Sequence, residues 1–94
     1  MTEERINELI AKGFKRWSKG NYDRLYINAR NLGLKLRFYN TGNIAEATFN
    51  GEEISNRSGG RLASAKTYID IKTGEVYSDD QRLADAAKLL AGIE

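Results

Sequence analysis

Between Asp23 and Tyr39 the side chains alternate twice in character, and this pattern limits the fold more than any other stretch. In Asp23-Arg24-Leu25-Tyr26-Ile27-Asn28, Leu25 and Ile27 fall on one side and Arg24 and Tyr26 on the other. In Leu34-Lys35-Leu36-Arg37-Phe38-Tyr39, Leu34, Leu36 and Phe38 are expected to point inward and Lys35, Arg37 and Tyr39 outward. Residues two apart in a strand share a face, so each run predicts a half-buried strand. Ala29 to Gly33 part the two runs as a short turn, one helical turn closed by Gly33. If the two strands pair with their apolar sides aligned, Arg24, Tyr26, Lys35, Arg37 and Tyr39 form one basic-aromatic surface on the open side of a sheet.

The rest of the chain supplies helices and further strands. Thr2 predicts an N-cap, with Glu3 and Glu4 in a first turn where the helix dipole favours acids, and Ile6, Leu9 and Ile10 on one face. Gly13 is expected to end that helix and leave Phe14 to Ser18 extended. Asn40-Thr41-Gly42-Asn43 is a turn, Ile44 to Asn50 a third strand, and Asn50-Gly51 a tight-turn pair. Ser55 predicts a cap for a weak helix from Asn56 to about Ala65, with Gly59-Gly60 inside it. Thr67 to Ile71 and Glu75 to Tyr77 form a hairpin around Lys72-Thr73-Gly74. Ser78 and Gln81 read as a capping box that opens a last helix, with Leu83, Ala86, Ala87 and Leu90 on one stripe and Gly92 past its end. Residues 1–94 are therefore expected to make one α+β domain. It would have a single antiparallel sheet, the N-terminal and C-terminal helices on one face and a short helix between strands. The other sheet face would be free for a ligand.

Charge is distributed unevenly along this framework. Residues 11 to 42 carry eight basic side chains against the single acid Asp23, a net of +7, and six of the nine aromatics. Residues 43 to 94 carry six basic side chains against nine acids, so the overall +2 conceals a strong asymmetry. Basic side chains interleaved with aromatics suit a polyanion, DNA or RNA above all. The expected nucleic-acid-binding set is Arg24, Tyr26, Lys35, Arg37 and Tyr39, flanked by Lys15, Arg16, Trp17 and Lys19. A solvated outer face is the plainer meaning of such charge, and in a domain this small Phe14 and Trp17 are commonly core residues.

Catalysis has little to draw on. The chain has no histidine and no cysteine, which removes the usual general base, the common transition-metal ligands and any disulfide. No catalytic residue, metal or cofactor is expected. Asp70-Ile71-Lys72 has the acid and lysine of a metal-dependent nuclease, with Glu53 or Glu46 as the upstream acid it would need; exposed strand residues beside a turn have the same pattern. Asp79 and Asp80 are explained by the helix start. Ser58-Gly59-Gly60-Arg61 has the glycines of an anion-binding nest without a P-loop's spacing. No apolar run is long enough for a membrane span and the first ten residues are acidic and amphipathic, so the expected compartment is the cytoplasm. A protein partner at a free sheet edge or on the last helix is the alternative to nucleic acid, with oligomeric state left open.

Gly13-Phe14-Lys15-Arg16-Trp17, Asp23 to Asn28, Ala47 to Asn56 and Tyr68 to Gly74 resemble segments of small uncharacterised proteins of phages and integrative mobile elements. The resemblance covers about residues 13 to 77 and carries over no functional residues. It implies a role in element maintenance, DNA transfer or evasion of host defence.

Overall fold

In the computed structural model, which describes residues 1–93, Thr2 opens helix α1 (Glu3–Ala11), its hydroxyl accepting from the Arg5 amide at 3.2 Å. Glu3 and Glu4 occupy the first turn, and Ile6 and Leu9 are buried. The helix stops before Gly13, whose φ of +114° reverses the chain and drops Phe14 into the core. The extended segment that follows is β1 (Lys15–Lys19), which forms an antiparallel hairpin with β2 (Tyr22–Ile27).

The protein is α+β, but its strands form two sheets where one was expected. After β2 comes a 3-10 turn (Ala29–Leu32), capped by the Asn28 side chain and closed by Gly33 at φ +111°. The turn buries Ala29 and Leu32 and so carries β3 (Leu34–Phe38) away from β2. β3 pairs instead with β4 (Ile44–Phe49), which pairs with β5 (Glu52–Ile54) across the Asn50-Gly51 turn. Asn50 (φ 52°) and Gly51 (φ 85°) both take the left-handed conformation that a two-residue hairpin turn needs. β5 has no counterpart in the sequence reading: three residues, two of them Glu, give no alternation.

The free edge of β2 is taken by β6 (Thr67–Asp70), which pairs with β7 (Val76–Ser78). The larger sheet thus runs β1-β2-β6-β7 and the smaller β3-β4-β5, with every pair antiparallel. Helix α2 (Asn56–Ser64), capped by Ser55, packs on β4 and β3. Helix α3 (Gln81–Ala91) packs on β6 and β7. One apolar cluster joins both sheets and all three helices, through residues such as Leu9, Leu25, Phe49, Leu62, Ile69 and Leu83.

Two local expectations are corrected. Ser78 is not the cap of α3; Asp80 is, accepting from the Arg82 amide at 2.9 Å, while the Ser78 hydroxyl lies 2.9 Å from Thr67 Oγ1 across the β6–β7 pair. Cap chemistry is shared by Ser and Asp, and the hairpin register decides which of them is free to serve. Phe38 does not point inward. A bulge between Arg37 and Phe38 shifts the register, and the ring is exposed beyond it.

The two adjacent glycines of α2 serve different ends. An ideal Cβ on Gly59 would lie 2.6 Å from Ala47 Cβ and 3.0 Å from Leu36 Cδ2, so α2 rests directly on the smaller sheet. A Cβ on Gly60 meets only Ile44 Cδ1 at an ordinary 3.6 Å. Gly60→Ala should therefore raise unfolding free energy by about 0.5–1 kcal/mol through helix propensity. Gly59→Ala should lower it by about 1–3 kcal/mol through overpacking. Chemical denaturation of the two variants checks this, and equal shifts would contradict the close approach.

Candidate functional site

The larger sheet has one face in the core and one face open. Leu25, Ile27, Thr67 and Ile69 lie inward. By alternation Tyr22, Arg24 and Tyr26 of β2 lie on the opposite face, and the register aligns their neighbours with them. Lys15 faces Tyr26, Trp17 faces Arg24, and Lys19 faces Tyr22. On the other side Tyr26 faces Tyr68, and Tyr68 faces Tyr77. Five of the nine aromatics therefore gather on one surface; Phe14 and Phe49 are in the core, and Phe38 and Tyr39 are exposed at the end of β3.

These rings form a ladder across the strands. Trp17 meets Tyr26 edge-on at 6.2 Å between centroids. Tyr26 and Tyr68 are tilted at 5.2 Å, and Tyr68 and Tyr77 are stacked at 5.2 Å. Directly opposed aromatic pairs are among the stronger cross-strand contacts, at about 0.5–1.5 kcal/mol beyond their buried area. The Arg24 guanidinium lies between two rings, 4.4 Å from the Tyr22 centroid and 4.3 Å from that of Tyr68. Its Nη1 donates to the Tyr26 hydroxyl at 3.0 Å, and that bond raises its pKa further. Arg24 Nε is buried with no hydrogen-bond partner among the described residues, and cation–π attraction to both rings offsets the missing acceptor. Arg24 is thus built into the ladder, and its loss would disturb the sheet as well as remove a charge.

The nine residues expected at a nucleic-acid surface are divided by the fold. Lys15, Trp17, Lys19, Arg24 and Tyr26 meet on the open face of the larger sheet. Arg16 lies on the other side of β1, where it makes two hydrogen bonds to Asp23 at 3.0 and 2.8 Å and donates to both Glu3 carboxylate oxygens at 3.2 and 3.4 Å. It fastens the first turn of α1 to the β1–β2 hairpin. Lys35, Arg37 and Tyr39 belong to β3 and the turn after it, in the smaller sheet, and Arg37 is paired with Glu46 at 3.2 Å. The expected pairing of β2 with β3 does not occur, so the expected continuous surface is two separate patches.

The structure adds three members that the sequence reading missed: Tyr22, Tyr68 and Tyr77. Alternation in Thr67-Tyr68-Ile69-Asp70 marks Tyr68 as facing away from Ile69, but nothing local says that β6 lies beside β2. The face is also electrically polarised. Lys15 and Lys19 on β1 form no ion pair among the described residues, whereas the β6–β7 side carries Asp70 and Glu75. The Tyr77 hydroxyl donates to the Glu75 carboxylate, which holds the phenol above its usual range.

The other candidate groups are engaged locally. Asp70 Oδ1 accepts from the amides of Lys72 and Thr73 at 2.9 and 3.1 Å, so it shapes the β6–β7 turn, and Lys72 lies in that turn beyond the strand. Among the described residues no three acids converge to hold a metal ion. Ser58, Gly59, Gly60 and Arg61 lie within α2, with Gly59 against the sheet, and do not form the loop that a nest requires. No helix among the described residues is long and apolar enough to cross a membrane. Compared with protein-family models, curated proteins and solved structures, the chain matches none of them.

Asp23 gives the assembly a pH signature. Its hydrogen bond from Arg16, then that from Ser18, lowers its pKa from 3.8 to about 2. A carboxylate with a depressed folded pKa stabilises the fold above its unfolded value and loses that contribution as pH falls towards the folded one. Wild-type stability should therefore drop between pH 3.8 and about 2, and Asp23→Asn should be less stable at neutral pH but flatter across that window. Thermal unfolding over the acid range measures both; parallel curves for the two proteins would contradict the linkage.

Proposed function

We propose that the open face of the larger sheet is a non-enzymatic nucleic-acid-binding surface. Lys15 and Lys19 flank Trp17 on one strand face, free of acids, beside a ladder of aromatic rings; this arrangement carries the reading. Lysine ammonium groups neutralise phosphates, and exposed rings beside them stack on bases, a combination that sheet-based nucleic-acid binders use. Arg24 and Tyr26 serve mainly by holding the surface in shape. Lys35, Arg37 and Tyr39 are a separate, secondary patch. The resemblance read in residues 13 to 77 would set such a domain in cytoplasmic maintenance, transfer or protection of a mobile element's nucleic acid.

The double variant Lys15→Ala/Lys19→Ala should weaken binding to any sequence. It should also reduce the slope of log K against log salt by about 1.5, the loss of two phosphate contacts. Both side chains are exposed, so the melting temperature should stay close to that of wild type. Lys35→Ala/Arg37→Ala should change the slope less. Unchanged affinity and slope in the first variant would reject this face.

A second reading, protein interaction through α3, is favoured by one observation. Leu89 is 84% exposed on the rim of a groove of about 500 Å3, with Leu32, Ala86 and Leu90 in its lining. A surface leucine beside an apolar groove is the element of a self-complementary contact. Sedimentation of the nucleic-acid-free protein should then show a dimer that Leu89→Lys converts to monomer. A wild type that stays monomeric at high concentration would remove self-association through α3.

A further inference from the structure

We infer that the ligand of this face is single-stranded nucleic acid laid along β1, with phosphates on Lys15 and Lys19 and bases on Trp17 and Tyr22. The inference rests on the nucleic-acid reading above and specifies its ligand. Three observations carry it: which rings remain available, where the charge lies, and what borders the strand.

The inner rings of the ladder are already occupied. Tyr68 is stacked on Tyr77, tilted against Tyr26 and covered by Arg24, and Tyr26 lies between Tyr68 and the edge contact of Trp17. Both are only half-buried by these neighbours but offer a base less ring surface than the exposed rings at the rim. The exposed rings are Tyr22 at 55%, Tyr77 at 44% and Trp17 at 42%. Of these, Tyr77 is bonded to Glu75 on the acidic flank, where a phosphate backbone is repelled. Trp17 and Tyr22 are left, both on the basic flank; Arg24 lies over one face of the Tyr22 ring, which stays exposed nonetheless.

Charge and spacing agree with that selection. Lys15 and Lys19 are four residues apart, about 13 Å along an extended strand, with Trp17 midway and Tyr22 opposite Lys19. Two ammonium groups with one stacking ring between them and a second beside Lys19 match a short stretch of extended backbone whose bases turn toward the sheet. β1 is an edge strand with all five residues exposed, and no strand among the described residues pairs with its outer side. The polymer therefore has open space beside it. A duplex keeps its bases stacked on one another, so it can meet the lysines but not the rings.

Trp17 is the only tryptophan in the chain, so its fluorescence reports on the site directly. The experiment titrates the intact protein with oligo-dT, oligo-rU and a duplex, each about 10 nucleotides long, with Trp17→Phe, Trp17→Ala and Lys15→Ala/Lys19→Ala beside wild type. Single strands should quench Trp17 and bind at least about tenfold more tightly than duplex, since only they reach the stacking rings. Trp17→Ala should weaken single-strand binding by about 5- to 150-fold, with Trp17→Phe recovering much of the loss. A preference for oligo-rU over oligo-dT assigns RNA as the ligand, and the reverse assigns DNA. Duplex binding as tight as single-strand binding, without quenching but still lost in the lysine variant, overturns the single-strand inference and leaves the nucleic-acid surface standing. Failure of all three polymers to bind overturns both.

Discussion

The β2–β6 pairing joins residues far apart in sequence and decides what both faces of the larger sheet become. With Leu25 opposite Ile69, two fully buried side chains meet beneath the helices. The same register sets Tyr26 opposite Tyr68 on the outside, and from there the ladder extends to Tyr77 and Trp17. A slip of one residue would move the aromatics into the core and the leucine and isoleucines into solvent. Hydrophobic burial therefore fixes the geometry of the outer surface, although no outer residue takes part in that burial. The cost is kinetic: this contact forms only after a long loop closes, and β1–β2 and β6–β7 are the local hairpins available before it.

Local features were legible because they depend on local chemistry. The Thr2 and Ser55 caps, the stop at Gly13, the turn at Gly33 and the Asn50-Gly51 hairpin each follow from what a few residues can do with their own backbone. The two-sheet arrangement was not legible in the same way. Alternation says that β2 and β3 each have an apolar face, but is silent on which strand lies beside which. Ala29 and Leu32 do mark the turn between them as buried, and a buried turn leads the chain through the core, not along the edge of one sheet. The Phe38 correction has a similar origin, since a bulge breaks the period of two on which any inward or outward assignment rests.

The candidate site was half legible for a related reason. The concentration of basic charge in residues 11 to 42 is plain in the sequence, but its meaning depends on where each side chain finds a partner. Lys12 donates to the Leu90 carbonyl at 3.0 Å, Arg16 holds Asp23 and Glu3, Arg37 holds Glu46, and Arg24 lies between rings. Much of the +7 is thus spent on structure, and Lys15 and Lys19 are what the open face retains. Tyr68 and Tyr77, which complete the ladder, come from a part of the chain with no excess of positive charge at all.

The exposed β1 edge has a consequence for solubility. An unpaired strand offers its amides and carbonyls to any other strand in reach, and flat edges of this kind are where sheets of separate molecules join. Here the edge is short and begins and ends with a lysine, so two copies brought edge to edge would set ammonium groups against each other. The charge proposed to hold a phosphate backbone at this edge would also, with no polyanion present, keep the protein from polymerising through it. On the proposed function, a polyanion bound there would neutralise that repulsion, and occupancy of the surface would be coupled through the same two side chains to the tendency of neighbouring molecules to line up along a strand.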